Sequence, residues 1–137
     1  MQENSLPQTE LKRRKYLATR AWEMIHQNLQ IEARNENTVM STYQEYYLHI
    51  SFSEVHPLMV ICLAKALAKR SSSRQRQIIN ELNLRSILGS HAINDEMGCY
   101  FYRAANWLDT ELTAERFFEI LNRCVDEANQ GIIRLTG

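Results

Sequence analysis

The sequence predicts an α+β fold: an antiparallel sheet of about five strands, with helices packed mainly on one face, in the order α-β-β-β-α-β-β-α. Three observations predict it. Residues 71–84 form a capped amphipathic segment. Two strand-like runs follow, 87–94 and 99–107, joined by the turn-like Asp95-Glu96-Met97-Gly98. A second amphipathic segment, 113–128, closes the unit. Helix, hairpin, helix limits the architecture to segregated helices on an antiparallel sheet.

The first element is a long helix over about residues 7–28. Pro7 suits a first helical turn, where its missing N–H costs nothing. Leu17, Ala21, Trp22, Ile25 and Leu29 then recur on one stripe, the helical period. Lys12-Arg13-Arg14-Lys15 sits early on this helix. Four consecutive residues spread around the axis and form no single tight patch.

Residues 30–34 read as a short strand, followed by the polar turn Asn35-Glu36-Asn37, and 38–42 continue as strand. Residues 46–52 alternate: Tyr46, Leu48, Ile50 and Phe52 point one way, Tyr47, His49 and Ser51 the other. Period two is the mark of a half-buried strand. Residues 58–67 allow two readings. A helix running from Leu58 to Arg85 fits the Ala/Lys propensity of 64–69. A strand over 58–66 fits the β-branched start and the fresh helix start at Ser71-Ser72-Ser73, where Ser72 and Gln75 match a capping box. The strand is favoured.

Gly89 interrupts the next strand and suits a bulge. Gly98 suits the left-handed position of a hairpin loop. Thr113 caps the last helix, with Glu115 in its first turn. Phe117, Ile120, Leu121, Cys124, Val125 and Ala128 form the strongest periodic stripe in the chain. Gly131 is read as its end, and Ile132-Ile133-Arg134-Leu135 as an apolar tail that docks on something.

Size and composition bound the rest. A chain of 137 residues fits one domain, 1–137. That length buries roughly 68% of the unfolded surface, enough for a core without staples. Sixteen basic and sixteen acidic side chains cancel, so no overall charge draws the chain to nucleic acid or to an anionic membrane. The longest uncharged apolar run, 57–64, is too short to span a bilayer. The polar start lacks the apolar core of a signal peptide, which places the expected compartment in the cytoplasm.

Read in order, the pattern resembles the YbjN-like family of sensory-transduction regulators, whose fold is similar to that of the type III secretion chaperones. Ile79-Asn80-Glu81-Leu82-Asn83 carries the resemblance, an Asn-x-x-Asn late in the middle helix. A hairpin with Gly near its turn and Tyr100-Phe101-Tyr102-Arg103 in its second strand follows, then a closing helix from Thr113. The resemblance covers about residues 45–130. It implies a chaperone-like fold and no transferable catalytic set.

Candidate chemistry is sparse. Cys62, Cys99 and Cys124 are an odd number without CxxC spacing, which argues against a disulfide framework and a zinc knuckle. Each lies in an apolar pattern and reads as a small buried hydrophobe. His26, His49, His56 and His91 show no HExxH, HxH or Cys–His spacing. His49 and His91 lie on predicted strands and could meet across the sheet, but a hydrogen-bonded or surface role is the simpler reading. Glu54 near His56 lacks a nucleophile. There is no phosphate-binding glycine loop and no GxSxG elbow. No metal, cofactor or enzymatic activity is expected.

Partner binding is better supported. Tyr43, Tyr46, Tyr47, Tyr100 and Tyr102 concentrate on predicted strands, and tyrosine is enriched at interfaces. Tyr47, Tyr100 and Tyr102 are therefore candidate partner-binding residues. Arg70 and Arg74 join them, because Lys65, Lys69, Arg70, Arg74 and Arg76 have no acid among them. Asp109, Glu111, Glu115, Glu119, Asp126 and Glu127 give the final helix an opposite character. Five basic residues without interleaved aromatics are weak grounds for nucleic acid. Asn80 and Asn83, neighbours at i and i+3, form either a polar hook for a partner or a tie from helix end to hairpin.

The leading expectation is a non-enzymatic cytoplasmic binding module, chaperone-like or a regulatory adaptor, forming a homodimer or a complex through tyrosines or a sheet edge. The alternative is a small-ligand sensor with a pocket between sheet and helices, around Trp22, Tyr102 and Trp107.

Overall fold

The computed structural model describes residues 6–53, 56–68 and 72–137. The element order is α1 (Gln8–Asn28), β1 (Ala33–Arg34), β2 (Thr38–Tyr43), β3 (Tyr46–Phe52), β4 (Leu58–Ala66), α2 (Ser73–Arg85), β5 (Ser90–Asn94), β6 (Cys99–Trp107) and α3 (Ala114–Thr136). One six-stranded sheet runs β1-β2-β3-β4-β6-β5, and every neighbouring pair is antiparallel. The sixth strand is the two-residue β1, which pairs Ala33 with Met40 and Arg34 with Val39.

Residues 58–66 are a strand, as their β-branched start favours. β4 sits in the middle of the sheet, where its run of apolar side chains meets neighbours on both edges. The helix restarts at Ser72 with a complete capping box. The Ser72 hydroxyl accepts from the Gln75 amide N–H at 3.2 Å, and Gln75 Oε1 accepts from the Ser72 N–H at 3.1 Å. Both satisfy donors that a helix start leaves unpaired. The β2–β3 hairpin turns through Gln44 and Glu45 at φ 51° and 71°, the positive pair that a type I′ turn requires.

All three helices lie on the same face of the sheet. From α3, Asn122 Oδ1 accepts from the Tyr43 hydroxyl and Asn129 Oδ1 from the Tyr46 hydroxyl, each at 2.6 Å. From α1, the Trp22 ring meets Phe52 edge-on at 5.9 Å. α2 lies along β5 and hands the Gln75 amide to the Leu135 carbonyl of α3 at 3.0 Å. Between these layers sit Ile25, Leu48, Ile50, Met59, Ile61, Leu63, Phe117 and Leu121, all fully buried.

Three boundaries differ from expectation. Of residues 30–34 only Ala33–Arg34 pairs as strand. α3 does not end at Gly131; it runs to Thr136, and the expected apolar tail is its last turn. Gly131 serves close packing instead. A Cβ there would lie 2.8 Å from His91 Nδ1 and 2.9 Å from the Tyr100 hydroxyl, tighter than nonbonded atoms allow. Residues 87–89 are not strand, because their amides bond to a side chain of α3 rather than to a neighbouring strand.

Leu121 is fully buried at the centre of the α3 stripe. Leu121→Ala removes that contact and leaves a cavity, at a cost of about 2–5 kcal/mol. The urea midpoint should fall accordingly with the m-value unchanged.

Candidate protein-binding surface

The sheet face away from the helices has no covering layer among the described residues. β3 treats it as an ordinary solvent face, with Tyr47 and His49 exposed. β4 does not: it presents Val60, Cys62 and Ala64 there, all half-buried and none charged. β6 adds Phe101, Ala105 and Trp107, broken by Arg103. The register lines these up across strands. Tyr47 is opposite Ala64, and Ala64 is opposite Phe101. His49, Cys62 and Arg103 form the next row, Ser51, Val60 and Ala105 the one after it, and Leu58 faces Trp107 beyond. The small Ala64 thus lies low between two rings. Tyr47 and Trp107, 64% and 63% exposed, stand at opposite ends of the stripe. A half-solvated antiparallel sheet ordinarily alternates apolar with polar. A central strand that is apolar on both sides suits cover on both sides.

Burial pushes the Cys62 thiol up, offset in part by the Arg103 guanidinium. Cys124, deep in the core, is pushed up to about 11 by burial.

Of the tyrosines named from sequence, Tyr47 alone lies on this face. Tyr100 and Tyr102 point the other way and are fully buried, so they offer a partner no surface. Burial holds both phenols protonated, well above their ordinary value. Arg74 is exposed on α2; Arg70 lies outside the described residues. The basic and acidic groups largely pair off locally: Arg76 with Asp95 at 3.2 Å, Lys65 with Glu45 at 3.8 Å, Arg20 with Glu111 at 3.2 Å. His49 and His91 do not meet, being on opposite faces and on strands far apart in the sheet.

The asparagine pair separates. Asn83 is the tie between helix and hairpin. Its Oδ1 accepts from the His91 N–H at 2.7 Å, and its Nδ2 donates to the His91 carbonyl at 3.0 Å. The side chain therefore occupies the outward backbone groups of His91 in the edge strand β5, as another strand would. Asn80 is exposed and makes no hydrogen bond among the described residues.

Sequence reasoning missed the polar centre of the helix side. Glu127, one of the acids that give the final helix its character, is buried. Its Oε2 accepts from the Ile87 and Leu88 N–H groups at 2.9 and 3.2 Å, and its Oε1 from the Gly89 N–H at 3.1 Å. The Tyr102 hydroxyl donates to Oε1 as well. Next to it, His91 Nδ1 lies 2.7 Å from the Tyr100 hydroxyl and Nε2 lies 2.8 Å from the Ser86 hydroxyl. A neutral imidazole donates at one nitrogen and accepts at the other, and both hydroxyls can take either part. The signal was present: Glu127 is three residues from Cys124 and four from Gly131, on the buried stripe of α3.

The pocket expected around Trp22, Tyr102 and Trp107 does not form from those three residues. Trp22 does line a cleft of about 560 Å³ beside α1. Tyr102 is core, and Trp107 is on the opposite face. Among the described residues no three His, Cys, Asp or Glu side chains converge to hold a metal ion, and no helix is long and apolar enough to cross a membrane.

No family model and no curated protein matches the sequence. Solved structures do share the fold. A chain from the HopA1–SchA chaperone–effector complex superposes with a TM-score of 0.56 at 8% identity, covering 89% of this chain and 94% of that one. A chain from the complex of the Yersinia pestis type III secretion chaperone SycH with a stable fragment of YscM2 gives 0.58 at 15% identity, covering 83% and 98%. At these identities the likeness is one of fold: the chain has the type III secretion chaperone-like architecture.

Glu127 makes a stability prediction with a defined sign. Burial raises its pKa, but the Tyr102 hydroxyl and the three amides outweigh that and hold it below its ordinary value of 4.5. Its contribution is thus complete above about pH 4.5 and is lost as pH falls through the lower folded-state value. Burial also lowers His91 from 6.5, so stability should begin to decline below about pH 6.5, where the unfolded chain takes up that proton first. Glu127→Ala orphans several donors, at about 1–3 kcal/mol each where water does not replace the carboxylate. Glu127→Gln should lose less than Glu127→Ala and should flatten the acid limb below pH 4.5. Urea titrations across pH 3–7 check both.

Proposed function

We propose that this chain is a non-enzymatic, chaperone-like protein-binding module that takes an apolar segment of a partner protein on the open face of its sheet. The stripe of Val60, Cys62, Ala64 and Phe101, bounded by the exposed rings of Tyr47 and Trp107, carries the reading. Large aromatic residues beside a low apolar floor are the usual anchors of protein interfaces. A β-strand or a helix face of the partner would cover side chains of β4 that an ordinary solvent face would make polar. The shared architecture with chains from chaperone complexes supports the same direction.

The route to the partner is narrowed by the edges. The Asn83 side chain occupies the outward backbone groups of His91 in β5, which disfavours strand addition at that point. The opposite edge, β1 and the end of β2, is short. A face-on contact is therefore favoured over an edge contact. Membership of the YbjN-like family, a regulatory role in the cytoplasm and formation of a homodimer belong to the same proposal. They rest on the Asn-x-x-Asn ahead of the hairpin and on the self-complementary character of an apolar stripe, which a two-fold pair could bury on both copies. Arg70 and Arg74 add attraction toward an acidic partner, with salt weakening the association.

The test begins with affinity capture from the native cell, then titration of the purified partner. Tyr47→Ala and Trp107→Ala should each weaken binding at least about tenfold, as interface anchors do. Their fold should change by less than about 0.5 kcal/mol, because both side chains project into solvent. Glu119→Ala, on the far side in α3, should bind normally. Unchanged affinity in both aromatic variants contradicts the proposal, as does a monomer at every concentration that captures nothing.

A further inference from the structure

The basic run Lys12-Arg13-Arg14-Lys15 has no part in the sheet-face proposal, yet the fold gives two of its members a common neighbour. Arg14 and Lys15 line the cleft beside α1, across from the loop ahead of β4. Its volume of about 560 Å³ lies within the usual range of small-molecule sites, roughly 300–1,000 Å³. The floor is apolar: Trp22 and Ala18 from α1, Phe52 from the end of β3, then Pro57 and Leu108. The Leu108 N–H donates to the Pro57 carbonyl at 2.7 Å, which closes that end. Trp22 is fixed from both sides, edge-on to Phe52 and 4.7 Å from the His26 ring. An apolar floor held rigidly, with a few polar groups at the mouth, is the general form of a ligand site.

Basic side chains stand at the mouth. Glu10 takes up Arg14 at 2.7 Å, and Arg13 reaches Glu10 and the Asp109 carbonyl. Lys15 forms no ion pair among the described residues. His56 also lines the cleft, and among the described lining residues Glu36 is the one acid. We propose that this cleft binds a small amphipathic carboxylate, with its hydrocarbon or aromatic body on Trp22, Phe52 and Leu108 and its anionic head at Lys15. The site is on the helix side of the sheet and meets the end of the proposed protein-binding face only at Leu58.

Trp22 makes the test direct, because the other tryptophan, Trp107, lies on the opposite face and is exposed. In Trp107→Phe, emission reports the cleft alone. Dodecanoate, below its micelle concentration, should shift that emission saturably with one site per chain, and calorimetry on the unmodified protein should return the same stoichiometry. Dodecanol and dodecyltrimethylammonium should each bind about tenfold more weakly, and Lys15→Glu should weaken dodecanoate by a similar factor, the loss of one charge-assisted contact. Thr19→Phe, at an exposed helical position on the cleft wall, should fill the space and abolish binding without unfolding the chain. Tyr47→Ala should leave dodecanoate binding unchanged, so failure here and failure of the sheet-face proposal are distinguishable. Equal binding of the ammonium analogue, indifference to Lys15→Glu and Thr19→Phe, or the absence of saturable binding overturns the proposal.

Discussion

One carboxylate organises the helix side of this protein. Glu127 receives three successive backbone N–H groups from residues 87–89 and the hydroxyl of Tyr102. It thereby joins α3, the loop after α2 and the strand β6 at one point. A buried carboxylate is costly unless its oxygens are filled, and here both are. The surroundings are shaped to it. Gly89 has no room for a side chain, since a Cβ would lie 2.5 Å from the Arg103 carbonyl oxygen. Gly131 lets α3 settle onto His91 and Tyr100. His91 carries the network on to Ser86 at the end of α2. The three amides could not join a strand ladder and accept this anchor at once, so β5 starts only at Ser90.

The placement of the helices has a consequence on the far side of the sheet. With α1, α2 and α3 all drawn to one face, every strand turns its other row of side chains away from them. In β3 that row is polar enough for water; in β4 it is not. The apolar stripe on the open face is thus the counterpart of a well-filled core opposite it. Asn83 adds a second restriction by capping the backbone of β5. Together they leave a face rather than an edge as the surface with apolar area to bury.

Much of this was legible in the sequence, and the misses have physical reasons. The alternation over Tyr46–Phe52 gave the correct inward side, and the Ser72/Gln75 box marked the restart of the chain as helix. The strand at Leu58–Ala66 was harder, because an antiparallel strand that is apolar on both faces loses its alternation and resembles a buried helix. Tyrosine on a strand suggests surface, because its hydroxyl suits interfaces. Parity decides the matter in β6: Arg103 marks the solvent side, which sends Tyr100 and Tyr102 to the other, where Glu127 and His91 meet their hydroxyls. Gly131 was read as a helix stop because glycine ends many helices; close approach to β5 and β6 was invisible without the fold. The cleft beside α1 assembles residues from α1, β3 and two loops, a convergence that spacing along the chain does not encode.

The anchoring of residues 87–89 is open to direct test. Ile87 is 85% exposed, so its amide would ordinarily exchange with solvent at the rate of a free loop. Hydrogen exchange followed by NMR resolves the three amides individually. The Ile87, Leu88 and Gly89 amides should be protected close to the level of the sheet and lose that protection together in Glu127→Ala, while β3 and β4 stay protected. Exchange of all three at unprotected loop rates in the unmodified protein would contradict that anchoring.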